Sequence, residues 1–426
     1  MPKQHASFGE QQADVTGASP LKVLMSAYAC EPNKGSEPGI GWNWACRAAR
    51  CHDVWVFTRA NNRPSIEDEL LKNEHPNLHF IYHDLPEWAR FWKKGGHGVY
   101  LYYLLWQVTA LPKARRIHDQ IRFDVGHHVT FGAFRQPTFL ATLNIPFVWG
   151  PISGGERAPF SFYRSFGPLG VIKQGLREAI NRLTWWNPAV RSTAARARLI
   201  LAATPASAAV LPRWARARAI IVPAMGYDGT LPPSRPRHES NDSIRVLFVG
   251  RLVYWKGVRL ALEAIAPLVS EMPTITMTIV GDGPDRTNLE TLATRFRIDQ
   301  SVRFLGNLSR SDVLELYAQH DIFVFPSLQD SGGFAVLEAM AAGLPVVCLD
   351  VGGPALALSE ATGICVPAHR PAQTIMDITV AIRRLAQDAR LRADMGAASQ
   401  LRVMEVFSWQ LLDKRLNEWY HEATSV

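Results

Sequence analysis

Two carboxylates eight residues apart, Asp330 and Glu338, bracket the stretch of this 426-residue chain whose residue types and spacing most plainly suggest chemistry. Between them lie Gly332, Gly333, Phe334 and Ala335. The apolar run 322–326 reads as a buried strand, residues after Ser331 favour helix as far as Gly343, and Pro345 opens another apolar run. Asp330 then stands in a loop with Ser331 as the expected N-cap. Glu338 follows within about 12 Å along the helix axis. Two acids at that separation can hold groups on either side of a diphosphate, such as a sugar and a ribose. Gly332 and Gly333 let an anion approach backbone N–H groups at the helix start. An equally simple reading is a capped helix with one buried, paired glutamate.

A second constellation begins at Gly250, where an apolar run ends. Arg251 and Lys256 follow, five residues apart, ahead of an expected helix. A diphosphate leaving group needs its charge neutralised as the bond to it breaks. Arginine can fork onto phosphate oxygens and lysine can act as a point charge. The competing reading is solvated surface. Gly281 and Gly283 form a turn after a third run and serve either a ligand or only the bend. Near the N-terminus, Gly35, Ser36 and Glu37 lie in a Gly-rich turn between an expected first strand and helix, where open α/β sheets bind ligands. That turn is not G-x-G-x-x-G, so it implies no dinucleotide cofactor. His127 and His128 are expected at the end of a strand facing the cleft.

The elements needed to position these groups read as strands alternating with helices, hence α/β with parallel, doubly wound sheets. Expected strands include 21–29, 54–58, 78–82, 124–129, 145–149, 198–203 and 219–223, with a second alternating series from 244 to about 367. Residues 1–19 read as a disordered tail, 20–228 as a first domain, 229–243 (Pro- and Ser-rich) as a linker and 244–406 as a second domain. A last helix is expected over 407–424.

Hydrophobic content of 47% with 20% charge describes a soluble globular chain. No run reaches the ~20 apolar residues of a membrane span, and residues 1–20 lack a signal-peptide core. Five cysteines without metal spacing suggest reduced thiols and a cytoplasmic setting. No Asp-x-Asp occurs, so no metal is expected. The charge is uneven: residues 1–240 hold 29 Lys/Arg against 17 Asp/Glu, and the remainder 17 against 21. A basic half suggests an anionic partner. Trp88, Arg90, Phe91, Trp92, Lys93 and Lys94, followed by Tyr100, Tyr102, Tyr103, Trp106, Lys113, Arg115 and Arg116, interleave aromatics and cations as an anionic membrane surface favours. The basic run Arg213–Arg218 adds to this expectation, and no nucleic-acid motif accompanies the charge.

The run from Leu337 to Val346, with the acid pair before and within it, resembles the acid-x7-acid motif of glycosyltransferase family 4, although that family usually has Glu where Asp330 stands and often an aromatic where Gly332 stands. Gly250 to Gly257 is similar to the family's Gly-Arg-x4-Lys-Gly. The resemblance implies a GT-B architecture, two Rossmann-like domains facing across a cleft, with the last helix crossing back onto the first domain. It implies a retaining, metal-independent hexosyltransferase using a UDP- or GDP-sugar and a glycan or lipid-linked acceptor of surface polysaccharide assembly, at the inner face of a membrane. By the same resemblance Arg251 and Lys256 hold the diphosphate, Glu338 the ribose, Asp330 the sugar, and Gly281–Gly283 the base. The Gly-rich loop lies beside donor phosphates and acceptor, with Glu37 on the acceptor side. The family's usual catalytic histidine has no counterpart in Trp149–Gly155, leaving His127 or His128 as candidates. A sugar-nucleotide epimerase and a non-catalytic nucleotide-sugar binding module are the rival readings.

Overall fold

In the computed structural model, residues 19–90, 98–227 and 243–425 are described. The first series is β1 (Lys22–Ala27), α1 (Ser36–Ala48), β2 (Asp53–Arg59), α2 (Arg63–Lys72), β3 (Leu78–His83), α3 (Val99–Ile121), β4 (Val125–Thr130) and β5 (Phe147–Ile152). It continues with α4 (Gly167–Leu183), α5 (Pro188–Arg196), β6 (Leu199–Ala202), α6 (Pro205–Ala209), α7 (Arg213–Arg216) and β7 (Ala219–Ile221). The second series is β8 (Arg245–Val249), α8 (Val258–Glu271), β9 (Thr276–Val280), α9 (Arg286–Arg295), β10 (Val302–Gly306), α10 (Arg310–Gln319), β11 (Ile322–Phe325), α11 (Phe334–Ala341) and β12 (Val346–Leu349). α12 (Gly352–Ala357), β13 (Gly363–Val366), α13 (Pro371–Gln387), α14 (Ala389–Val406) and α15 (Trp409–Thr424) complete it.

Two separate parallel sheets result, ordered β3-β2-β1-β4-β5-β6-β7 and β10-β9-β8-β11-β12-β13. The central strands are buried throughout because helices cover both faces, and this is why β11 and β12 read as unbroken hydrophobic runs. In each sheet the strand order reverses beside the first strand, between β1 and β4 and between β8 and β11. Ligands of such sheets bind in the crevice outside the carboxyl ends at that switch point. The loop leaving β1 leads into the first turn of α1, which carries Glu37, and the loops leaving β4, β8 and β11 carry Gly132, Lys256 and Asp330. Topology alone therefore brings the sequence's chemistry-bearing loops to the two crevices.

The chain crosses back at its end. Tyr227 N–H donates to Phe407 O (2.7 Å), and α15 lies in the first sheet's core with Leu412, Leu416, Trp419 and Tyr420 packed among Val23, Trp44 and Val125. Trp44 Nε1 donates to Ala224 O at 2.9 Å. Among the described residues no helix is long and apolar enough to cross a membrane.

Four expectations need correction. The strand expected over 145–149 is displaced, because Phe147–Ile152 is the segment that pairs with β4 and β6. The strand expected over 219–223 stops at Ile221. Ser331 is not the helix cap: α11 begins at Phe334 behind Gly333, whose φ of +66° favours glycine. Finally, Tyr102, Tyr103 and Trp106 are buried on the inner face of α3, with Tyr103 packed against Tyr28 and Phe131 and Trp106 edge-on to Tyr28, so they present nothing to a membrane. The exposed large apolar groups of that helix are Tyr100, Leu101, Leu104, Leu105 and Val108. In the second basic stretch Arg216 and Arg218 are tied to backbone carbonyls of Ala209, Leu211, Ala194 and Ala195. Phe91 to Lys94, residues 1–18 and most of the expected linker, 229–242, lie outside the described residues.

Candidate active site

Lys256 reaches the crevice because the chain turns sharply after it. Gly257 has φ +71°, and a Cβ there would lie 1.9 Å from Pro326 O, so the loops after β8 and β11 touch backbone to backbone. The amine of Lys256 meets Asp330 Oδ2 and sits 4.9 Å from the centre of the Phe325 ring. The other carboxylate oxygen of Asp330 accepts from the N–H groups of Gly332 (3.0 Å) and Gly333 (3.1 Å). The N–H groups expected to face a ligand are thus taken up by Asp330, which shapes the loop leading into α11. Gly353 N–H donates to Asp330 O at 2.8 Å and joins the next loop to the same post.

Glu338 projects from α11 with its own partners, Arg310 Nη2 at 3.3 Å and Tyr317 Oη at 3.4 Å. Burial pushes its carboxyl above the ordinary range, and Arg310 opposes that shift. The two acids of the spacing therefore stand on separate cations rather than sharing one. Arg310, at the start of α10, carries no local sequence signal and was missed. Arg251 is exposed and forms no ion pair among the described residues.

Glu37 enters from the other sheet. Its Oε1 accepts from Gly132 N–H at 3.0 Å, and burial pushes its carboxyl up while the Gly132 and Phe131 N–H groups pull it back. Ser36 and Glu37, with Tyr100 and Phe131, face Asp330, Gly332 and Phe334 across a cavity of about 280 Å³. A second cavity of about 1110 Å³ shares Tyr100, Ser153, Asp330 and Ser331 with it and is walled further by Lys256, Trp255, Glu156 and Arg177. Glu156 was also missed: its carboxylate is buried and accepts from Thr204 Oγ1 (2.6 Å), Ser207 Oγ (2.8 Å) and Gly154 N–H (3.1 Å), fixing the loop after β5.

Other sequence candidates fall outside these walls. Gly35 is exposed with open space around it, and Ala335 is half-buried on α11. Gly250, Gly281 and Gly283 belong to two loops bonded to each other, Leu252 N–H to Asp282 O at 3.0 Å, and line neither cavity.

His127 and His128 are the clear miss. Both are fully buried within β4, and β4 continues to Thr130, so neither stands at its end. His127 bridges Tyr420 Oη (2.7 Å) and Gly150 O (2.9 Å), and His128 lies against Ser26 Oγ (3.3 Å) and Tyr103 Oη (3.5 Å). Burial pushes their ring pKa values down to about 3 and about 4. They are core groups, not cleft groups.

Residues 233–402 match the family model described as glycosyl transferases group 1. A glycogen synthase of Mycobacterium tuberculosis is 32% identical over 187 residues, 43% of this chain and 44% of that protein. A GDP-mannose-dependent monoacylated alpha-(1-6)-phosphatidylinositol monomannoside mannosyltransferase of Corynebacterium glutamicum is 32% identical over 173 residues, 39% and 44% of the two chains. The chain thus spans less than half the length of these curated relatives. The solved structure of Anabaena Alr3699/HepE with UDP and glucose superposes with a TM-score of 0.62, covering 94% of this chain and 99% of that one at 18% identity, a likeness of fold. Residues 233–402 are thus similar to the group 1 glycosyl transferases, and the two parallel sheets of the chain have the GT-B fold.

Proposed function

We propose that this chain is a retaining glycosyltransferase that moves a hexosyl group from a nucleotide-diphosphate sugar to a hydroxyl acceptor, the acceptor being a lipid-linked glycan of surface polysaccharide assembly. The observation that carries this reading is that Asp330, paired with Lys256, faces Glu37 of the other sheet across one cavity, while Lys256 lines the adjoining cavity that shares Asp330. Cations stand on the side where a diphosphate would depart, and an acid with a raised pKa stands where an acceptor hydroxyl would enter.

In this mechanism Arg251 and Lys256 neutralise the departing diphosphate, and Asp330 positions both Lys256 and the sugar hydroxyls. Glu338 accepts from ribose hydroxyls. The bond from the anomeric carbon to the phosphate oxygen breaks, and a bond to the acceptor oxygen forms on the same face. The acceptor proton passes to the departing phosphate oxygen, and Glu37 orients the acceptor hydroxyl. Two protein cations at the leaving group do the work that a divalent ion would otherwise do. The buried His127 and His128 take no part. Acceptors embedded in a bilayer place the reaction at the inner membrane face, a setting that exposed Trp88, Tyr100 and Leu101 favour.

Of the relatives named above one is, by its name, a synthase of glycogen and the other a mannosyltransferase for a monoacylated phosphatidylinositol monomannoside, and the second supports an acceptor of this kind. The test is calorimetry of UDP and GDP binding in EDTA, followed by proton NMR of the transferred sugar in the same buffer. Binding of one nucleotide and an anomeric configuration equal to the donor's are expected. An inverted product, or a strict need for a divalent ion, refutes the retaining, metal-free form.

A further inference from the structure

One helix of the first domain shows an apolar face left exposed among the described residues. In α4, Leu169, Ile172, Leu176, Ile180 and Leu183 recur at intervals of three and four and are 72%, 66%, 61%, 47% and 62% exposed. The opposite side, with Gly170, Gln174 and Asn181, is buried. A stripe of five large apolar side chains turned to solvent is costly unless something covers it.

The stripe is continuous with the cleft. Leu176, Ile180 and Leu183, with Leu104 and Val190, line the same 1110 Å³ cavity as Lys256 and Asp330. Three further cations line the same cavity: Arg135, Lys173 and Arg177. Arg135 donates to Asn181 Oδ1, and Arg177 to Glu156 O (2.9 Å) and Gly154 O (3.1 Å). Lys173 is exposed and makes no ion pair among the described residues. The acids beside them are occupied: Glu156 by Thr204, Ser207 and Gly154, Glu178 by Arg157 at 3.1 Å and Arg177 at 3.8 Å. The groove therefore combines cations with hydrocarbon walls.

The geometry points to a binding groove for one amphiphilic anionic acceptor, its phosphate between Arg135, Lys173 and Arg177 and its hydrocarbon chain along Leu176, Ile180 and Leu183. A sugar nucleotide alone leaves the apolar walls wet, and a neutral glycan leaves the cations unmatched. This inference rests on the transferase reading of the cleft and adds where, and by what chemistry, the acceptor is held.

The test uses alkyl phosphates below their micelle concentrations, followed by calorimetry, with UDP and GDP titrated in parallel. Dodecyl phosphate is expected to bind at least about 30-fold more tightly than hexyl phosphate, since each methylene buried is worth about fourfold and burial of two to three of the six extra ones suffices for that factor. Inorganic phosphate and dodecyl maltoside should each bind more weakly than dodecyl phosphate. Leu176→Glu with Ile180→Glu, at exposed positions, should erase the chain-length dependence, and Lys173→Glu should weaken the preference for phosphate over maltoside. Affinity independent of chain length, or unchanged in the double variant, overturns the proposal. So does binding to phosphatidylglycerol vesicles without binding of monomeric dodecyl phosphate, which makes α4 a bilayer contact, or a dimer that the double variant dissolves. Nucleotide binding without alkyl phosphate binding removes the groove alone. Chain-length-dependent binding without nucleotide binding removes the transferase reading alone.

Discussion

Replacing Lys256 with alanine removes the amine that stands between Asp330 and the expected leaving group. The side chains of Lys256 and Asp330 are 20% and 14% exposed. Breaking a fully buried pair costs about 3–5 kcal/mol, and an exposed one about 0–1. Asp330 keeps two N–H donors at 3.0 and 3.1 Å, so its carboxylate is not stranded. The stability cost therefore falls near the lower bound, about 1–2 kcal/mol, a shift of a few degrees in Tm. The effect on turnover is larger, because the interaction strengthens only as charge develops on the departing phosphate. Loss of one such preorganised group costs about 10²–10³ in kcat. Initial rates of nucleotide release at saturating donor, alongside thermal melts, should show Lys256→Ala slowed by that factor. Lys72→Ala, which removes only an exposed pair with Asp68, should be unchanged. Folded Lys256→Ala protein turning over within twofold of Lys72→Ala refutes the role given to Lys256.

Glu338→Gln should weaken UDP or GDP binding about tenfold, since a hydrogen bond to a charged group is worth about 1.5–3 kcal/mol; unchanged calorimetric affinity in a folded variant removes Glu338 from the nucleotide site. Gly257→Ala should destabilise by at least about 2 kcal/mol, because the position combines φ +71° with a 1.9 Å clash on Pro326 O, and an unshifted melt contradicts the packing described. Stability should also fall on acidification. His52, His127 and His128 are buried with pKa values down to about 4, 3 and 4, against about 6.5 unfolded. The unfolded chain then binds more protons below pH 6.5, so their contribution is complete above that pH and drains as pH falls toward 4. Each loses about 1.2 kcal/mol between pH 7 and 5.5, roughly 3–4 in all, and equal urea midpoints at the two pH values contradict this.

What the sequence made legible follows from local physics. Strands such as β11 and β12 are apolar on both faces, so a four-residue run announces them, and the strand-loop-helix-strand order of 322–349 is visible at once. Long-range geometry is what stayed hidden. His127 and His128 sit in a run that alternation cannot phase, and their cover includes α15, which joins them from 293 residues away through Tyr420. α3 is apolar around much of its circumference, so nothing local separates buried Tyr102, Tyr103 and Trp106 from exposed Tyr100 and Leu101. The partner of Glu338 lies on a different helix, and the neighbouring acid Asp330 is turned to another cation by a loop whose shape depends on the left-handed Gly333. The exposed stripe of α4 reads as an ordinary amphipathic pattern, since periodicity does not say which face is inward.

The central claim is that a sugar leaves a nucleotide diphosphate and arrives on an acceptor. The direct measurement incubates the protein with a panel of UDP- and GDP-sugars, with and without an acceptor extract, and follows free nucleotide diphosphate and new sugar species together. The account predicts that one donor releases its nucleotide only when acceptor is present, in equal amount to the sugar appearing on that acceptor. Conversion of the donor into a different sugar nucleotide without any acceptor, or donor binding with no nucleotide released under any condition, contradicts it.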